Sequence, residues 1–303
     1  MSIKRIGFVG LGAMGLGQAR NLLARGFEVS GYDIDPGRGA LLAQAGGTLA
    51  ASPAEAAAGA ELFIVLVFDA AQAESVLFAD NSGAIGALPV GTPVVLHTTG
   101  SADDARRLAA RLAEAGHAML DAPVTGGKSG ADAGTLTVIV SGEDAAFETA
   151  LPAFEAMGKR VTRVGTEPGQ ASTVKMINQL LVGVHNAAAA EALTLAAKAG
   201  ADLEKVVEVI TNGAGNSVAF QGRAPQILSR DFDVRGAISI LIKDLGIVNE
   251  AGRRFSAPLP LASAALQQYV AAAAQGRADE DLAALVKVYE AAAAIEVTPR
   301  KQA

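Results

Sequence analysis

The chain has 303 residues, half of them hydrophobic, with a net charge of −6 and an isoelectric point near 5.2. It contains no cysteine, which excludes disulfides, thiolate nucleophiles, iron–sulfur clusters and cysteine-type zinc sites. The acidic balance, with no block of Lys and Arg, removes the electrostatic footprint of a nucleic-acid binder, and the length points to two domains.

The first residues, Met1 to Arg5, lack the apolar run and cleavage site of a signal peptide, so a cytoplasmic location is the expectation. Ile6-Gly7-Phe8-Val9 reads as a buried strand. Gly10-Leu11-Gly12-Ala13-Met14-Gly15 follows directly and opens a helix to about Arg25. A G-x-G-x-x-G run means little alone. Between a strand and a helix it predicts a dinucleotide cradle: tight turn, close backbone approach to the diphosphate, close helix–strand packing. The diphosphate would rest on unpaired N–H groups at the helix start. A second strand over 28–32 ends at Asp33, eighteen residues after Gly15. A carboxylate there accepts from both ribose hydroxyls and repels a 2′-phosphate, so NAD is expected in preference to NADP, although Arg38 nearby tempers the repulsion. Asp35 is a competing acceptor, but Asp35-Pro36 reads as the cap and first turn of the next helix.

Strands over 62–67 and 93–96 flank a helix over 70–78. Their ends, Val67-Phe68-Asp69 and His97-Thr98-Thr99, should border the cofactor, because ligands of open sheets sit at strand carboxyl ends. Thr98 either bonds near the nicotinamide ribose or simply ends its strand. His97 reads as a structural polar group. Ser101 with Asp104 opens a helix as a capping box. Strands over 119–124, 136–140 and 161–164 complete a mostly parallel, doubly wound sheet. His97, His117 and His185 are far apart and form no ligand pair, so no metal site is expected.

The pattern changes near Gly165. A helix over 171–199 leads to helices over 203–210, 238–254, 261–274 and 282–294, and residues 298–303 should fray. The stretch 180–197 is the most membrane-like. It carries His185, Asn186 and Glu191 mid-way, which favours a buried helix over a span.

Oxidation of a hydroxy acid requires a held carboxylate, an oriented hydroxyl and a base. Asp121-Ala122-Pro123-Val124-Thr125-Gly126-Gly127 ends a strand, and its paired glycines offer backbone N–H groups to an anion, with Thr125 adding a hydroxyl. An ordinary flexible loop is the alternative. Lys175 lies in the first two turns of the long helix among Val174, Met176, Ile177, Leu180 and Leu181, with Asn178 and Gln179 on its face. Lost solvation and the helix N-terminus both disfavour its ammonium form, which suits a proton acceptor. Otherwise it reaches solvent or pairs with an acid.

Four segments in order resemble the β-hydroxyacid dehydrogenase family: 7–15, 121–127, Lys175-Met176-Ile177-Asn178-Gln179 and Lys243-Asp244-Leu245. The resemblance covers essentially the whole chain. It implies an α/β fold with an N-terminal Rossmann doubly wound sheet and an all-α C-terminal domain joined by a long interdomain helix, divided at 1–166, 167–200 and 201–303. It implies catalytic roles for Lys175 as general acid/base, Asn178 and Thr125. Thr125, Gly126, Gly127, Lys175, Asn178 and Gln179 would bind substrate, and Lys243 would approach the nicotinamide. Segments 69–72, 167–175, 179–185 and 211–217 resemble the L-threonate dehydrogenase branch, where Asn216 and Ser217 would take the extra hydroxyls of a four-carbon acid. 3-Hydroxyisobutyrate or tartronate semialdehyde chemistry is the rival within the family, and a non-catalytic NAD-binding module the rival outside it. A homodimer or homotetramer is expected. The chain departs from the family pattern at Thr125 (usually Ser), Ala171 (often Gly) and Gly236 (often aromatic).

Overall fold

The computed structural model describes residues 3–299; the expected fraying of 300–303 and the start at Met1-Ser2 lie outside them. Two compact units divide after Met176.

The first unit runs β1 (Arg5–Val9), α1 (Gly15–Ala24), β2 (Glu28–Tyr32), α2 (Pro36–Gln44), β3 (Thr48–Leu49), α3 (Pro53–Ala57), β4 (Leu62–Val65), α4 (Ala70–Phe78), β5 (Val94–Leu96), α5 (Ala102–Glu114), β6 (Met119–Asp121), β7 (Val124–Thr125), α6 (Gly127–Ala133), β8 (Leu136–Ser141), α7 (Asp144–Met157) and β9 (Gly158–Gly165). The strand order begins β3-β2-β1-β4-β5-β6, and every neighbouring pair in that series is parallel. The order reverses beside β1, which makes the carboxyl ends of β1 and β4 the switch point where such sheets bind ligands. Period-two alternation builds both faces: Leu62 and Ile64 pack with Phe8, Leu22, Leu120 and Phe154, whereas Phe63 and Val65 pack with Val9, Leu77, Leu108 and Leu112. Each such side chain contributes roughly 1.5–3 kcal/mol by leaving water.

The strand expected over 119–124 is two strands. Pro123 has no N–H to give to a ladder, and the chain breaks at Ala122-Pro123 before pairing again. β6 and β7 both run antiparallel to β8, with Asp121 opposite Ser141 and Thr125 opposite Thr137, while β9 lies parallel on the other side of β8. β4 also ends at Val65, two residues short of the expected strand.

From the first unit α8 (Gln170–Lys198) continues into the second, which holds α9 (Leu203–Thr211), α10 (Val218–Ser229), α11 (Ile238–Arg254), α12 (Pro260–Ala274) and α13 (Val286–Ala293). Its core gathers Leu193, Leu203, Phe220, Ile227 and Val286. The helix expected over 282–294 opens with a 3₁₀ turn at Leu282–Leu285. α10 escaped the sequence pattern because Gly222 and Pro225 both oppose helix. It forms because Ser217 caps it through the Phe220 N–H at 3.0 Å and buries Phe220, Ala224 and Ile227. α8 is long and apolar enough to cross a membrane by length and composition. Several of its polar side chains are buried against protein instead: Asn186 donates to Tyr269 Oη at 3.0 Å and to the Leu282 carbonyl at 3.1 Å.

Candidate active site

The glycine-rich turn has the shape its three glycines require. Gly10 adopts φ +96°, and a Cβ there would lie 2.0 Å from the Leu66 carbonyl oxygen. A Cβ on Gly15 would lie 1.9 Å from the Gly10 carbonyl oxygen, so α1 and β1 meet only through hydrogen. A Cβ on Gly12 would meet nothing within 4 Å. The middle of the turn is thus the open place at which a diphosphate can approach the backbone, and the residues present fit the group. Ala13 is exposed and Met14 half-buried, so both border that opening, whereas Leu11 is buried.

Asp33 stands just past β2. Its Oδ2 accepts from the Leu11 N–H at 2.6 Å and its Oδ1 from the Asp35 N–H at 2.9 Å, leaving each oxygen a further lone pair. Asp35 caps α2 through the Gly37 N–H at 2.9 Å, and Arg38 lies 3.7 Å from Asp35. At the ends of β4 and β5, Thr98 Oγ accepts from the Val67 N–H at 3.1 Å, which draws two expected cofactor neighbours together. Phe68, exposed beside them, gives its N–H to Gln72. His97 is buried with Nδ1 bonded to the Ala122 carbonyl, and desolvation pushes its pKa down to about 4, so the ring is neutral.

Thr125 ends β7 and is half-buried. Gly126 and Gly127 follow with φ +132° and +64° and turn the chain into α6. The run after Thr125 is a short helix from Gly127 to Ala133 rather than a loose loop. At the end of the preceding strand, Asp121 Oδ2 accepts from the Gly169 and Ser172 N–H groups at 2.9 and 2.8 Å, and Oδ1 from Ser172 Oγ at 2.7 Å. Lys175, one turn beyond Ser172, is 6% exposed.

In the second unit the structure joins Asn178, Gln179 and Lys243 through a residue with no role assigned from sequence. Asn178 Nδ2 donates to Gln179 Oε1 at 3.0 Å, Gln179 Nε2 donates to Asp244 Oδ2 at 2.5 Å, and Lys243 Nζ lies 2.8 Å from Asp244 Oδ1. Asp244 is 2% exposed, and a buried carboxylate in an otherwise apolar helix face was the available signal. Asn216 and Ser217 bond locally: Asn216 Nδ2 donates to the Thr211 carbonyl at 2.8 Å, and Ser217 caps α10. Asn216 Oδ1 is buried without a hydrogen-bond partner.

Comparison with known proteins follows this division. Residues 5–165 match the NAD binding domain of 6-phosphogluconate dehydrogenase, and residues 169–289 match the NAD-binding family of NADP-dependent 3-hydroxyisobutyrate dehydrogenase. An L-threonate dehydrogenase of Cupriavidus necator is 43% identical over 286 residues, 94% of this chain and 96% of its own. An NAD-dependent L-serine dehydrogenase of Pseudomonas aeruginosa is 33% identical over 95% of this chain and 98% of its own. The crystal structure of 3-hydroxyisobutyrate dehydrogenase from Salmonella typhimurium aligns with a TM-score of 0.89 at 41% identity, over 94% of this chain and 99% of that one.

Proposed function

The chain belongs to the β-hydroxyacid dehydrogenase family and is an NAD-dependent hydroxyacid dehydrogenase; on that premise we propose that it oxidises the C2 hydroxyl of L-threonate to 2-oxo-tetronate, with Lys175 as the base. Gly10 to Gly15, Asp33, Val67, Phe68 and Thr98 would hold NAD, with Lys243 near its nicotinamide end. NAD supplies the hydride acceptor. Thr125, Gly126 and Gly127 bind the substrate carboxylate through a hydroxyl and two backbone N–H groups. Asn178 and Gln179 orient the reacting hydroxyl, and Asn216 and Ser217 take the outer hydroxyls. Lys175 accepts the C2 hydroxyl proton as the C2 hydrogen departs as hydride, so the carbinol becomes a carbonyl. Burial disfavours the charged form of an amine in general, the direction that suits a proton acceptor.

The observation that carries this reading is the burial of Lys175 at 6% exposure, one turn into a helix whose start is bonded to the 121–127 segment. The 43% identity to an L-threonate dehydrogenase supports the four-carbon substrate. Lys175→Ala should lower kcat by roughly 10²–10⁴-fold, the usual worth of a positioned acid or base, with NAD affinity by calorimetry unchanged. Near-normal turnover would remove Lys175 from the chemistry. A panel of L-threonate, 3-hydroxyisobutyrate, tartronate semialdehyde and L-serine, assayed with NAD or NADH, tests the substrate. Turnover of 3-hydroxyisobutyrate without L-threonate would favour the second reading, for which the Salmonella structure speaks.

The reading includes a cytoplasmic homodimer or homotetramer. Ile177, Leu181 and Leu195, four and fourteen residues apart on α8, are 54%, 48% and 70% exposed, an apolar stripe of the kind that assemblies cover. A monomer in light scattering at micromolar concentration would contradict it.

A further inference from the structure

We propose that Asp121, with Ser141, is a positioning residue for the reaction: together they hold the first turn of α8 and so fix where Lys175 presents its amine. The proposal rests on the reading of Lys175 as the base.

The argument begins with the orphan donors of a helix start. The first N–H groups of any helix lack intrahelical acceptors, and a cap is ordinarily supplied by the residue just before the helix. Here it comes from the sheet. Asp121 and Ser141 are register partners on β6 and β8, and both are fully buried. Asp121 takes the Gly169 and Ser172 N–H groups and the Ser172 hydroxyl. Ser141 Oγ takes the Ala171 N–H at 3.1 Å, and its own side chain bonds the Asp121 carboxylate. Gln170 N–H turns back to the Glu167 carbonyl, and Thr173 N–H to that of Gly169. Each of these donors is accounted for, and three of them end on two side chains of the sheet, so the helix start is tied to the strands as well as to its own lead-in.

The lead-in itself leaves no slack. Gly169 adopts φ +93°, and a Cβ there would lie 2.7 Å from the Ala102 carbonyl oxygen. Ser172, bonded twice to one carboxylate, cannot rotate about the helix axis without breaking both bonds. Lys175 follows three residues later on the same face and inherits that rotation and depth. Misplacing a reacting group by about 1 Å can cost on the order of 10²-fold in rate, so the socket matters to turnover rather than only to folding. Burial alone raises the Asp121 pKa, and the donors from Ser172, Gly169 and Ser141 oppose the rise.

The test is a set of variants in the full-length enzyme. Asp121→Asn keeps the volume but turns an amide group toward N–H donors. It should lower kcat by about 10–100-fold, with the KM for the hydroxy acid and the calorimetric affinity for NAD within about twofold. Ser172→Ala, which removes one hydroxyl and no backbone bond, should lower kcat several-fold, and Ser172→Thr should restore it. In a Lys175→Ala background Asp121→Asn should cause no further loss, because it acts through Lys175. Ser172→Ala carries the test should Asp121→Asn fail to fold. Wild-type kcat in folded Asp121→Asn and Ser172→Ala beside an inactive Lys175→Ala overturns the socket alone. So does an equal loss with and without Lys175. Full turnover of Lys175→Ala overturns the base and the socket together.

Discussion

His97 shows how a single buried side chain couples to pH. Its Nδ1 meets the Ala122 carbonyl, its Nε2 has no hydrogen-bond partner, and its pKa falls from 6.5 to about 4 because burial disfavours the cation. The folded value lies below the unfolded one, so the unfolded chain binds the extra proton first. Stability is whole above about pH 6.5 and drains as pH falls toward about 4, by on the order of 3 kcal/mol in all. Denaturant melts between pH 7 and 4 should show that slope, and His97→Asn should flatten it. An unchanged slope in the variant would assign it to carboxylates instead. At this scale the sequence spoke clearly where a residue's purpose is local. Asp35-Pro36 reads as a cap and is one, and the Ser101–Asp104 capping box is present in both directions. It was silent on Asp121 and Asp244. Their partners lie 51 and 65 residues away, and nothing local in a strand or helix tells which distant donor will reach its carboxylate.

The glycine turn and its helix give an element-scale test. Gly12→Ala adds a methyl to open space, so the variant should melt within about 1 kcal/mol of the parent, near the intrinsic Gly–Ala difference, yet bind NAD at least tenfold more weakly. Gly15→Ala drives a methyl into the Gly10 carbonyl and should lower the melting temperature first. Equal effects of the two on stability and NAD affinity would deny the turn its division of labour. Elements with a clean period were legible: α4 and α11 begin and end where apolar spacing says. Those that were not owe their form to compensation. α10 carries Pro225 inside it, a cost of about 3 kcal/mol, and exists because its buried face and Ser217 cap offset that cost. The break between β6 and β7 follows from a proline whose effect depends on the partner strand, and the antiparallel run of β8 depends on pairing that no short window contains.

For the whole molecule, the doubly wound sheet followed by helices was readable because each strand's alternation and each helix's spacing agreed with the layers they build. Of the proposed site residues, those of the cofactor group lie on consecutive strand ends and so could be proposed from sequence, whereas the network within the second unit, where Asn178 and Lys243 are 65 residues apart and meet through Gln179 and Asp244, had no such local signal. NAD at about 100 times its Kd should stabilise the folded enzyme by about 2.7 kcal/mol and raise the calorimetric transition by several degrees; an unmoved transition would deny the first unit its ligand. The double engagement of Asp33 has a last consequence for cofactor choice. The carboxylate that would repel a 2′-phosphate, on the reading proposed above, also latches the Leu11 N–H at 2.6 Å. Replacing it with a neutral or basic residue removes the repulsion and slackens the phosphate loop in the same stroke. A lineage moving from NAD to NADP would therefore cross a fitness valley at its first step, and would emerge only with a second change that supplies the loop a new acceptor.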